Sequence, residues 1–225
     1  MRFLLFIVFL LMVPVVGVAQ ERFKGYFEPF IDLGYDITDN YSHEISIEER
    51  TVWYDHASFK VDLKQLEVSH FSILKLNDKN AVALGVKYRF KENFQPGEEN
   101  ELRFTQEYKY DAQPNATEFK HRVRVEQRIT STSNSHRFRY NFGITHGLNG
   151  PKIDLGEVYL IGDLETLLTV ASTSKPKYEQ RMGAGVGIVF SNSIKLELAT
   201  EYRLDDFTQD LGQELFLITG MKVKL

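Results

Sequence analysis

The sequence predicts an all-β fold: an antiparallel up-and-down transmembrane β-barrel of ten strands, with twelve as the alternative, after a cleaved signal peptide. Three observations predict it. Apolar residues recur with a period of two rather than 3.6 along most of the chain. The alternating runs outlast a usual soluble strand of about 5–6 residues. The last alternation, Leu215, Leu217, Thr219, Met221, Val223 and Leu225, continues to the final residue, as a closing barrel strand would.

The elements follow in order. Residues 1–19 read as a signal peptide: Arg2 is the positive region, Phe3 to Val16 is apolar, and Gly17-Val18-Ala19 is the small-residue cleavage site. The run is short for a spanning helix, which needs about 20 apolar residues, and Pro14 interrupts it. Residues 20–42 form an N-terminal extension in which 25–37 reads as one extra strand, and the barrel proper occupies 43–225. Its clean strands are AVALGVKYRF (81–90), ELRFTQEYKY (101–110), FKHRVRVEQRI (119–129), HRFRYNFGI (136–144), YEQRMGAGVGIVF (178–190), SIKLELATEYRL (193–204) and ELFLITGMKVKL (214–225). Less regular strands fall at 43–54, 59–76 and 157–171. Gly, Pro, Asn, Asp and Ser cluster between them, as hairpin connections require. With the last strand running down to the periplasm, NDKN (77–80) and SNS (191–193) become inner turns. ENFQPGEEN (92–100) and DDFTQDLG (205–212) become outer loops, and ten strands leave the N-terminus periplasmic.

Each strand has an apolar face and a charged face, so the remaining question is which solvent each meets. In a soluble sandwich or carrier barrel the apolar face would fill the core. Aromatics near strand ends argue for the reverse. Tyr178 and Phe190 bracket one apolar face; twelve residues at about 3.3 Å each, tilted about 40°, rise roughly 30 Å, close to a membrane's apolar band. Tyr88, Phe90, Tyr108, Tyr110 and Tyr202 complete the predicted aromatic girdles. The charged face then lines the interior. Arg103, Lys120, Arg122, Arg124, Arg128, Arg137 and Arg139 form a basic wall, and Asp163, Glu165, Glu179, Glu197 and Glu201 an acidic one. Facing each other across a narrow lumen they would form a salt-bridged plug. Gly183, Gly185 and Gly187 on the acidic wall leave room for long arginines. Mean hydropathy of −0.28 does not exclude a membrane, because alternation averages it away.

The ordered motifs ELRFTQEYKY, HRVRVEQRI, HRFRYNFGI, GEVYLI, YEQRMGAGVGI and ATEYRLDDF resemble a family of uncharacterised outer-membrane proteins common in Bacteroidota, domain of unknown function 2490, over roughly 43–225. The resemblance implies a barrel of unassigned function and carries no catalytic residues. Leu225 stands where a terminal aromatic is usual in outer-membrane barrels.

Little in the sequence suggests chemistry. Ser-His occurs three times, but neighbours on a strand point to opposite faces, so a nucleophile and base would have to meet across strands. The Gly183–Gly187 spacing is G-x-G-x-G inside a strand, not a dinucleotide fingerprint. Asp205, Asp206 and Asp210 read as a solvated acidic loop. Neither a metal site nor a cofactor is expected. The net charge of −4 argues against a nucleic-acid partner. Cysteine is absent, so no disulfide staples the fold. The expected function is a non-enzymatic outer-membrane barrel of a Gram-negative bacterium, structural or accessory, or a narrow solute pore. Outer-membrane lipid is its partner. The alternatives are a lipid-modifying acyl hydrolase or transferase and a soluble periplasmic lipocalin-like carrier.

Overall fold

The computed structural model describes residues 23–55, 57–150, 152–172 and 174–225; the expected signal peptide lies outside them. Eleven strands follow one another: β1 (Phe23–Thr38), β2 (Tyr41–Asp55), β3 (Ser58–Lys75), β4 (Asn80–Phe90), β5 (Glu101–Ala112), β6 (Thr117–Ile129), β7 (Asn134–Gly147), β8 (Val158–Ala171), β9 (Ser174–Val189), β10 (Ile194–Asp205) and β11 (Gly212–Lys224). Sequence neighbours pair antiparallel throughout, and β1 pairs with β11 to close the barrel. Among the described residues no helix is long and apolar enough to cross a membrane.

The count corrects the expected ten or twelve. Residues 59–76 and 157–171 conceal no additional hairpin; each is a single strand, β3 and β8. Residues 25–37 add exactly one strand, β1. With an odd number, the first and last strands of a meander run the same way, so closure has to be parallel. It is, from Phe23 opposite Gln213 to Gly34 opposite Lys224. Phe23 and Lys224 therefore lie at opposite ends of the barrel. β2 begins at the end where the chain finishes, as expected of a barrel starting near 43, but β1 carries the described N-terminus to the other end.

The two ends can be named by these residues. The Lys224 end carries the turns at 76–79 and 190–193; the Phe23 end carries 91–100 and 206–211. The expected grouping of turns and loops is thus present. Length alone does not sort the ends, because the connection 148–157 lies at the Lys224 end. At the Phe23 end Glu99 ties loop 91–100 to the turn after β6. The hydroxyls of Ser131 and Thr130 hold its carboxyl well below the ordinary range, at about 2.

Glycines on the inner face lie under side chains of the neighbouring strand rather than opposite arginines across the lumen: Asp163 stands over Gly183 and Ala199 over Gly185. Tyr159 covers Gly187, Phe71 covers Gly85 and Phe30 covers Gly220, each pair being register partners. A Cβ on Gly187 would overlap the Tyr159 ring. Gly187→Val is therefore expected to destabilise by about 1–3 kcal/mol through overpacking, read as a lower urea midpoint for the folded barrel.

Candidate functional site

The lumen is the site with the most structure. Glu126 on β6 is 1% exposed. Arg139 of β7 donates to it (3.1 Å), and Arg103 and Arg124 stand 3.6 and 3.8 Å away. Arg139 reaches on to Glu165 of β8 at 2.7 and 3.2 Å. Glu165 also faces Arg181 of β9 at 3.6 Å, and Arg181 pairs with Glu179 at 2.8 Å. Glu179 takes a second donor, Arg137, at 2.8 Å. On the other side Glu101 binds Arg103 and Arg128, and Glu107 binds Arg124 and Lys109. Glu67 of β3 binds Lys87 and Arg89 of β4. Glu28 of β1 accepts from Arg50 of β2 (2.6 Å) and Arg203 of β10 (3.3 Å), so one carboxylate ties together strands on both sides of the β1–β11 seam. Phe216 packs beneath these two arginines, with the Arg203 guanidinium 3.5 Å from its ring centroid. Such stacking lets a buried guanidinium keep a favourable contact on its flat face.

The predicted luminal residues fall as follows. Arg103, Arg124, Arg128, Arg137, Arg139, Glu165 and Glu179 stand in the network just described. Glu201 binds Arg203. Arg122 reaches Glu165 only at 3.7 Å. Lys120 pairs with Glu118, and Glu197 with Lys222 and the Tyr159 hydroxyl, nearer the Lys224 end. Asp163 lies beside Gly183. The pairs join the same or adjacent strands for the most part, not a basic wall facing an acidic one. Sequence reasoning left Glu28, Arg50, Glu67, Lys87, Arg89, Glu101, Glu107, Glu126, Arg181 and Arg203 out of the network. The signal was available for several: Glu126 shares the register of Arg122 and Arg124, and Glu101 and Glu107 that of Arg103.

Towards the Lys224 end the lumen widens into a vestibule of about 700 Å³. Its lining mixes cations (Lys109, Lys120, Arg122, Lys195 and Lys222) with carboxylates (Asp32, Glu44 and Asp111), and Asp32 stands opposite Lys222 across the seam.

The outer face is the complement. Val123 is 48% and Tyr140 46% exposed, on the same strands as buried Glu126 and Arg137. Tyr88, Phe90, Tyr178 and Tyr202 stand towards the Phe23 end, and Tyr108, Tyr110 and Phe190 towards the Lys224 end, so the predicted girdle residues form two groups. Polar side chains on this face bond to one another. Gln106 and Gln127 exchange amide hydrogen bonds at 3.1 and 3.0 Å. Thr166 donates to Gln180 (2.8 Å), and His121 pairs with the Tyr140 hydroxyl (2.8 Å).

One cross-strand serine–histidine contact does form. Ser72 Oγ on β3 lies 3.2 Å from His43 Nδ1 on β2. The same nitrogen is 2.9 Å from His70 Nε2. A catalytic base needs one nitrogen for the nucleophile and the other for an orienting group; here both contacts fall on one nitrogen. Among the described residues no three metal-ligating side chains gather.

Strand order, closure and lumen together define a closed eleven-stranded β-barrel with an ionic interior. The chain belongs to the family described as protein of unknown function (DUF2490), whose model matches residues 31–213. The match enters β1 and ends at the start of β11, so it begins before and stops short of the stretch expected from the motifs. No curated protein matches the chain.

Proposed function

We propose that this protein is a non-enzymatic β-barrel of a bacterial outer membrane, in a structural or accessory role, with its lumen shut by an ion-pair network. One observation carries the reading: carboxylates and guanidiniums are buried inside while valine, leucine and tyrosine stand bare outside. Water would favour the opposite distribution, since each exposed apolar side chain forgoes about 1.5–3 kcal/mol of burial. In lipid the same surface is at home, and backbone groups stay bonded because the sheet closes on itself. The mutually bonded glutamines and threonine outside fit a solvent that offers no hydrogen bonds.

The pattern of residues 1–19, a positive residue, an apolar run and small residues, supports export. Phe23 and Lys224 lie at opposite ends of the barrel, so on this reading a last strand that ends in the periplasm goes with Phe23 at the cell-surface end.

A shut lumen predicts behaviour in a planar bilayer. Inserted protein is expected to give no stepwise current at moderate voltage, and unboiled protein is expected to migrate differently from boiled protein on a gel. Regular conductance steps would favour the narrow-pore reading, to which the vestibule lends some support. A soluble fraction with no mobility shift would overturn the membrane reading itself.

A further inference from the structure

The outer wall carries one carboxylate without a counter-charge in a groove across the seam. Glu49 of β2 shares the outward register of Ile45 and Ile47. Its only hydrogen bond among the described residues is accepted from Thr51 Oγ1, and no described cation forms an ion pair with it. Beside it the β1–β2 ladder is interrupted. The register is unbroken from Phe27 opposite Thr51 to Phe30 opposite Glu48, but no backbone pairing forms between at Glu28 and Pro29. Pro29 has no N–H to donate, so a ladder bond is missing where Glu49 faces it. The groove has a volume of about 450 Å³.

Its lining is sorted along the barrel axis. Glu49, Pro29 and Thr219 form the row nearer the Phe23 end, Pro29 and Thr219 being register partners across the seam. Two residues towards the Lys224 end comes a second row of consecutive register partners, Ile47, Ile31, Met221 and Leu196. That row is wholly apolar; Ile47, Ile31 and Leu196 are exposed, at 46%, 41% and 38%, and Met221 is half-buried. A polar head position thus sits over an apolar tail position, with the head nearer one membrane surface.

On the membrane reading above, we propose that this seam groove binds a single-chain cationic amphiphile of the bilayer, its positive head at Glu49 and Thr219 and its alkyl chain over Ile31, Ile47, Met221 and Leu196. Charge complementarity selects the head. A carboxyl group facing lipid is a costly feature unless paired, and its usual role is to mark a site. The apolar row selects the tail.

The test uses the full barrel in phosphatidylcholine vesicles and dicyclohexylcarbodiimide, which partitions into apolar phases. A carboxylic acid adds its O–H across one C=N bond of the reagent and nothing leaves, so the adduct is read by peptide mass. Dodecyltrimethylammonium, which has no nucleophilic nitrogen, is the ligand probe, and dodecanesulfonate, with a long chain, the opposite charge and no carboxyl to consume the reagent, is the control. The expected result is an adduct on Glu49 that is lost with the cationic probe and kept with dodecanesulfonate. In Glu49→Gln the adduct disappears while the heat-dependent gel shift remains. No adduct on Glu49, or one that the two probes affect alike, overturns the proposal. Because the wild-type peptide map locates the adduct, the outcome does not depend on the variant folding. Protein that stays soluble without vesicles or detergent would instead sink the membrane reading underneath.

Discussion

Glu126→Leu is expected to destabilise the barrel by about 3–5 kcal/mol, the cost of taking one anion from a buried charge cluster. The carboxylate lies among Arg103, Arg124 and Arg139, all of them nearly buried. Removing it leaves Arg103 with Glu101, Arg124 with Glu107 and Arg139 with Glu165, three desolvated guanidiniums that have lost the carboxylate they share. The loss should be strongly non-additive. In a Glu126→Leu, Arg139→Met double variant one desolvated cation goes together with its anion, so the combined cost should fall well below the sum of the two single costs. Urea unfolding from vesicles gives the numbers, with Trp53, the only tryptophan, as the reporter at the Phe23 end. A Glu126→Leu barrel as stable as the wild type would mean that the lumen is wet and its ion pairs are screened.

Leu198→Arg carries the second large effect and probes the opposite face. Leu198 is 58% exposed in the middle of β10. On a soluble protein a substitution at so open a site usually changes stability by less than about 0.5 kcal/mol. On a lipid-facing strand near mid-depth, arginine costs about 2–4 kcal/mol. The two values do not overlap, so refolding equilibria into lipid vesicles discriminate between them. Leu198→Ala provides the comparison that removes side-chain size.

Much of this architecture could be read from alternation, and the exceptions have physical causes. Strands β4 to β7 and β9 to β11 keep strict period two, so Arg103, Arg124 and Arg139 could be assigned to one face with nothing but their parity. The first hairpin could not be read as cleanly. Register shifts between Arg50 and Thr51 and between Val52 and Tyr54 interrupt the alternation of β2 against β3. That interruption hid the luminal roles of Arg50 and Glu67. The eleventh strand is legible at 25–37, but its place in the barrel is not, because bacterial single-chain barrels have an even number of strands. Parallel closure of β1 on β11 depends on which edges meet, and neither edge carries a residue that announces it. Ion-pair partners were the least legible feature: parity gives the face of Glu126, whereas its neighbours depend on the stagger between strands. Glu49 was visible all along as a charge in an apolar register, but only the seam next to it gives that charge a setting.

The most direct measurement follows the environment of β6 residue by residue. The chain has no cysteine, so single cysteines can be placed from Phe119 to Ile129 and spin-labelled in vesicles. Collision rates with oxygen, which concentrates in lipid, and with a water-soluble nickel chelate then report the solvent at each position. Odd positions such as Val123 and Val125 are predicted to meet oxygen freely, while Arg124 and Glu126 meet neither reagent. Nickel access at the even positions, with both reagents excluded from the odd ones, would contradict the account.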